Sequence, residues 1–131
     1  MITGIGIDVV HVTRITKWQT IPGILERFFN PVEISDAQAR GSGAGFSLAA
    51  RFAAKEAFGK ALGTGLTGIV LKDIMVARRD NGRPEMQVQG SALAALQKNG
   101  ANRVHLSLTH EIDNAIAMVV LEKLPDSSAA D

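Results

Sequence analysis

Cysteine and tyrosine are both absent from this 131-residue chain, and tryptophan occurs once. Without cysteine there is no disulfide, no thiol nucleophile and no thiolate-ligated metal. One tryptophan and no tyrosine leave no aromatic platform for stacking bases. Fourteen basic against thirteen acidic residues, a net charge of +1, give no global attraction to nucleic acid. Long apolar runs are missing too: the longest, Ala115 to Leu121, falls far short of the roughly 20 residues that span a bilayer. The first apolar run contains Asp8 and has no leading cations, so it does not read as a secretory signal. The expectation is a soluble, cytoplasmic protein with neither a membrane nor a nucleic-acid partner. By length it is one domain, 1–124, able to bury about two thirds of its unfolded surface, followed by a small polar tail, 125–131, expected to be disordered.

What is present is concentrated in Arg51 to Gly65, RFAAKEAFGKALGTG. At about 100° per residue, Ala50, Ala54, Ala57 and Ala61 form an arc of small side chains, flanked by the bulk of Leu48, Phe52, Phe58 and Leu62. Such a helix is buried on most sides. Arg51 and Lys55 lie one turn apart, a repulsive pair that calls for an anionic partner from outside the helix. Glu56 and Lys60 are also one turn apart and, taken alone, read more simply as an ordinary helix-stabilising pair. Gly59, costing about 1 kcal/mol against alanine in a helix interior, marks a close approach by another group. Gly63 is the expected C-cap, and Gly63-Thr64-Gly65 forms a short loop whose N–H groups can face a phosphate or simply turn the chain.

Upstream, Met1 to Val10 alternates as a strand, with Ile5, Ile7 and Val9 on one side and Gly4, Gly6 and Asp8 on the other, a side that reads as open. Asp8 stands near the strand end, where a carboxylate holds a metal or caps the next helix. A dinucleotide fingerprint is excluded because Asp8 and Val9 occupy the place of its third glycine, and a Walker loop because Ala54 stands where its first glycine belongs. Helices are expected at His11 to Trp18, Ile24 to Phe29 and Val32 to Arg40, the last joined to the main helix by a flexible Gly41 to Gly45. Arg14, Lys17 and Arg27 concentrate cations in this quarter, either as a solvated face or as a dock for an acidic protein.

Downstream the chain turns β-rich. Ile69 to Arg79 and Glu85 to Gln89 flank the hairpin turn Asp80-Asn81-Gly82, with Pro84 at the strand start. Ser91 is expected to cap a helix over Ala92 to Asn99. Strands are expected at Arg103 to Thr109 and Ala115 to Glu122, with His110 to Asn114 as their connection. His110-Glu111-Ile112-Asp113-Asn114 is not a zinc motif, since Asn114 replaces its second histidine in a strand-like context. His110 and His105 read as structural on these grounds alone. The fold class is α+β, a mainly antiparallel sheet packed on one long buried helix.

Four segments, GIGIDVV (Gly4 to Val10), RFAAKEAFGKALGTG, NGRP (Asn81 to Pro84) and SLTH (Ser107 to His110), resemble in order and spacing the holo-acyl-carrier-protein synthase family of 4'-phosphopantetheinyl transferases. The resemblance spans nearly the whole chain and departs mainly between Val32 and Gly45, to which no role is carried. It implies the phosphopantetheinyl-transferase fold and transfer of the 4'-phosphopantetheine arm of coenzyme A to a serine of apo acyl carrier protein, in fatty acid biosynthesis, releasing adenosine 3',5'-bisphosphate. By the same resemblance Asp8 and Glu56 would hold Mg2+, a hard cation suited to carboxylates and retained waters. Lys60 would approach the phosphates. Gly63, Thr64, Gly65, Arg51, Arg83, Pro84 and His110 would contact the nucleotide or its phosphates, and Arg14, with Lys17 and Arg27, would dock the carrier protein. The general base stays open between Glu56 and a water on the metal. A homotrimer with its sites between protomers is implied, in which Asp8, Glu56 and Lys60 face a neighbour's arginine. The competing readings are a coenzyme A or nucleotide-binding oligomer without catalysis, and a purely structural trimer.

Overall fold

Small side chains on one helix meet glycines on one strand, and that contact sets the architecture. The computed structural model describes residues 1–126, in the order β1 (Ile2–His11), α1 (Val12–Trp18), α2 (Ile24–Phe28), α3 (Pro31–Gln38), α4 (Ala44–Leu62), β2 (Ile74–Arg78), β3 (Pro84–Val88), α5 (Gly90–Asn99), β4 (Arg103–Glu111) and β5 (Asn114–Glu122). The tail expected over 125–131 lies, from 127 on, outside the described residues, while Pro125 and Asp126 are irregular. A three-stranded antiparallel sheet has the order β1-β5-β4, and β2 pairs with β3 in a separate hairpin. This is the expected α+β fold built around one long helix.

The glycine side of β1 is the reverse of open. A Cβ on Gly4 would lie 2.0 Å from the Ala61 carbonyl oxygen, and one on Gly6 would lie 2.1 Å from that of Ala57, so strand and helix backbones touch. Only glycine on the strand allows this, and alanine on the helix keeps the approach free of side chains. The apolar side therefore points away from the core: Ile5, Ile7 and Val9 are 63%, 58% and 57% exposed, and Met118, opposite Ile7 on β5, is 40% exposed. The core lies on the other face, where Ala115, Ala117, Val119 and Leu121 of β5 meet Ala53, Ala57, Phe58 and Ala61 of α4.

Several boundaries differ from the sequence reading. The strand runs through Asp8 to His11, so Asp8 projects from mid-strand and caps no helix, and α1 has no side-chain cap. The glycine-rich segment 41–45 is a 3-10 turn, Gly41–Gly43, followed directly by the first turn of α4, where Gly45 packs against Thr16 of α1. Ile69 to Asp73 is not strand but loop and a second 3-10 turn, Leu71–Asp73. Ser91 does not cap α5: its hydroxyl donates to Asp73 Oδ2 at 2.6 Å and accepts from the Val70 amide at 2.9 Å, tying the helix to the preceding turn. His110 belongs to β4 rather than to a connection. Gly59 does mark a close approach, by the chain at Gly65 and Leu66, and Gly63 at φ 81° terminates α4 as expected.

The anions that Arg51 and Lys55 call for both come from α3: Arg51 faces Asp36 at 3.7 Å, and Lys55 meets Glu33. Lys55 and Glu33 are both fully buried, 2.7 Å apart. Asn30 opens α3 with a reciprocal capping box to Glu33, so the residue that starts the helix also delivers its carboxylate to the core. No role was carried onto this segment from the sequence.

Candidate active site

Three residues at which the sequence reading places chemistry converge where β1 crosses α4. Asp8 leaves the strand on its glycine side, and Glu56 and Lys60 leave α4 one turn apart. The Lys60 ammonium donates to Asp8 Oδ1 at 2.9 Å across 52 positions of sequence. The Asp8 side chain is mostly covered and that of Lys60 is half exposed, so the pair opens to solvent. Hydrogen bonding to Asp8, and then its charge, raise the proton affinity of Lys60. Glu56 is half-buried. Its pKa is raised from the ordinary 4.5, first by loss of hydration and then by the Asp8 charge, against the opposing pull of Arg14 and Lys60. The two carboxylates therefore face one shared space.

That donor set fits a hard divalent cation. Among the described residues no group of three or more His, Cys, Asp or Glu side chains is arranged to hold a metal. Mg2+ needs none, since it commonly takes one or two carboxylates and keeps several waters. A cation between Asp8 and Glu56 would also relieve the like-charge repulsion that raises Glu56.

Arg14, exposed on α1, adds a positive charge to the same region. Its guanidinium lies 5.4 Å from the Phe52 ring centroid and 5.7 Å from that of Trp18, within cation–π range. Trp18 stacks on Phe28 of α2 at 5.0 Å, and Arg27 lies over Phe28 at 5.9 Å. Arg14 and Arg27 thus flank one aromatic cluster, with exposed Lys17 in the last turn of α1. Within the chain itself, the Arg14 charge already acts on Glu56.

A second group lies away from the carboxylates. Arg40, Phe46, Ser47, Arg78, Thr109 and His110 line one pocket, and the His110 ring sits edge-on to Phe46 at 5.4 Å. A small cleft beside it is lined by Ser47, Arg51, Arg78 and Pro84. Arg51 is buried; its Nε donates to the Val76 carbonyl at 3.3 Å, and its Nη1 bonds Ser47. Burial lowers its pKa, with Glu33 and Asp36 opposing and Arg40 and Arg78 adding to the fall. Arg83 is exposed in the hairpin turn next to Pro84. Arg40 and Arg78, absent from the sequence-derived set, extend the positive character of this pocket.

Neither of these two clefts contains Asp8, Glu56 or Lys60. The glycine loop after α4 belongs to neither group. The Gly63 and Gly65 amides donate to the Lys60 and Gly59 carbonyls at 3.0 Å each, so these two N–H groups close the helix end and do not offer themselves to a phosphate. Thr64 is exposed there and lines a separate apolar cleft with Leu62, Ile69 and Lys98.

Comparison with known proteins assigns the chain to a family. Residues 4–117 match the 4'-phosphopantetheinyl transferase superfamily. The holo-[acyl-carrier-protein] synthase of Treponema denticola is 55% identical over 122 residues, covering 93% of this chain and 99% of the relative. A crystal structure of the holo-[acyl-carrier-protein] synthase from Neisseria meningitidis superposes with a TM-score of 0.83 at 36% identity, covering 94% of this chain and all of the other. The synthase from Bacillus anthracis, solved in complex with CoA (3',5'-ADP), gives 0.78 at 36% identity, covering 95% and 99%. The chain belongs to the 4'-phosphopantetheinyl transferase superfamily, in its holo-acyl-carrier-protein synthase group.

Proposed function

We propose that this protein transfers the 4'-phosphopantetheine group of coenzyme A to a serine of apo acyl carrier protein in fatty acid biosynthesis. The observation that carries the reading is the convergence of Asp8, Glu56 and Lys60 at the β1–α4 crossing. The serine hydroxyl attacks the phosphorus that bears the pantetheine arm, the bond to the bridging pyrophosphate oxygen breaks, and adenosine 3',5'-bisphosphate leaves. Asp8 and Glu56 would hold Mg2+, which would neutralise charge gathering on the pyrophosphate. Lys60 is anchored by Asp8 and half exposed, which suits it to contact the leaving phosphate. Its strong hold on its proton keeps it cationic throughout. The serine proton goes to the Glu56 carboxylate or to a water on the cation, both of which lie within the same site.

Arg14, with Lys17 and Arg27, forms the docking surface for the acidic carrier protein. Its position beside Glu56 brings a docked serine to the carboxylates. Arg51, Arg83, Pro84 and His110 serve the nucleotide, with Thr64 at the loop after α4.

The active unit is a homotrimer with its sites between protomers. Two observations support this reading. The nucleotide-side clefts and the carboxylates lie apart on one chain, so a neighbour's pocket would complete each site. The outer face of the β1-β5-β4 sheet exposes Ile5, Ile7, Val9 and Met118, an apolar surface suited to burial against copies of itself. Residues 1–124 act as one domain in the cytoplasm, and no helix among the described residues is long and apolar enough to cross a membrane.

The test is a mass measurement. Incubation with coenzyme A, Mg2+ and an apo carrier protein should add the phosphopantetheine mass to the carrier; tight coenzyme A binding without that gain would favour the non-catalytic reading.

A further inference from the structure

The hairpin β2–β3 carries Arg78, Arg83 and Pro84 yet shares no strand pairing with the main sheet. Much of its polar attachment comes from two charged side chains in the core. The Lys55 ammonium donates to Glu33 Oε1 at 2.7 Å, to the Ile74 carbonyl at 2.6 Å and to the Leu71 carbonyl at 2.9 Å, which uses all three of its protons. Glu33 Oε2 accepts from the Val76 amide at 3.0 Å. The Val76 carbonyl accepts from Arg51, one turn before Lys55. The backbone edge of β2 that faces away from β3 is therefore satisfied by Glu33 and Arg51 where a neighbouring strand would normally stand.

We propose that the buried Glu33–Lys55 pair is a positioning clamp: it holds the β2–β3 hairpin, with its nucleotide-side residues, at a fixed place against the helix that carries Glu56. This rests on the transferase reading of the site. Buried ion pairs rarely add net stability, because desolvation offsets the attraction, and well-packed apolar replacements are often neutral or stabilising. What this pair supplies that an apolar pair does not is direction. Its oxygens and protons reach the backbone of Asn30, Leu71, Ile74 and Val76, fixing α3, the 3-10 turn and β2 to one turn of α4. Lys55 and Glu56 are consecutive, so the same turn of helix points one side chain at the clamp and the next toward Asp8.

The test uses the apolar swap Glu33→Leu with Lys55→Met in the full chain, alongside Glu33→Gln, which keeps the shape but removes the negative charge. Three quantities are read: Tm, steady-state kinetics, and binding of adenosine 3',5'-bisphosphate by calorimetry. The double variant should keep a cooperative melt near the wild-type Tm. Its KM for coenzyme A and its Kd for the bisphosphate should rise at least tenfold, with kcat at saturation within about threefold of wild type. Glu33→Gln should raise both constants less, and should speed hydrogen exchange at the Val76 amide at least tenfold. A folded double variant with unchanged KM and Kd would overturn the clamp, as would unchanged Val76 exchange and KM in Glu33→Gln if the double variant does not fold. Failure of the transferase reading looks different: the wild type would add no mass to the carrier, while the loss of bisphosphate binding in the variants would still support the clamp.

Discussion

Two lysine–carboxylate pairs sit little more than a turn apart on α4, and they are built for opposite ends. Lys55 and Glu33 meet at 2.7 Å with both side chains fully buried; Lys60 and Asp8 meet at 2.9 Å with the lysine half in water. The buried pair has every lysine proton matched by a protein acceptor. Among the described residues its open counterpart bonds Asp8 alone, leaving protons for an incoming phosphate. Both pairs join an ammonium to a carboxylate, so burial and saturation decide which is scaffold and which is reagent.

The sharpest way to break this contrast is to remove the open side. Asp8→Ala and Glu56→Ala should each cut Mg2+-dependent transfer by about 10²- to 10³-fold or more, the scale for losing a group that manages transition-state charge. Circular dichroism should show both variants folded. Removing one member of the buried pair should do the converse. Glu33→Ala leaves the Lys55 charge without its counterion and should cost about 3–5 kcal/mol, read as a large loss of midpoint in urea unfolding. Lys60→Ala should lower transfer and change Tm far less than Glu33→Ala does, because its ammonium is half in water.

The smallest effect concerns pH. Folding raises the Glu56 pKa above the ordinary 4.5, so the folded state binds that proton more tightly than the unfolded chain does. Stability is then lost as pH climbs from 4.5 through the folded value, and the loss persists above it. Glu56→Gln should therefore raise Tm at neutral pH in chelator, and that gain should vanish below about pH 4.5, as scanning calorimetry would record. A site that costs stability and is relieved by substitution is expected where charge is held for function.

The long helix was legible because its signals agree: an alanine arc, flanking bulk and a terminal glycine mark its body and its end, while its first turn lies inside the segment expected to be flexible. The hairpin turn at Asn81-Gly82 was legible for the same reason. Which face of β1 is covered was not. Alternation separates Gly4, Gly6 and Asp8 from Ile5, Ile7 and Val9, but hydrophobicity assigns the isoleucines to the core, whereas a glycine stripe meeting an alanine stripe buries backbone against backbone. The complementary signal was present in Ala57 and Ala61. Glu33 was missed for another reason. A lone acid in the first turn of a helix reads as a capping-box member, which it is, and only the unmatched Arg51 and Lys55 on another helix hint that it has a second partner. Ser91 failed as a cap because Asp73, across a turn that local sequence does not reveal, competes for its hydroxyl. Placing Arg14 beside Glu56 likewise required α1 to be docked on α4 through Trp18 and Phe52.

One measurement bears most directly on the central claim that Asp8 and Glu56 form a single cation site: titration of Mn2+ into the wild type, Asp8→Ala and Glu56→Ala, with the free ion followed by electron paramagnetic resonance. Wild type should bind one ion per carboxylate pair, and each substitution should weaken that binding at least tenfold. Equal binding in all three, or full carrier modification in excess chelator, would contradict it.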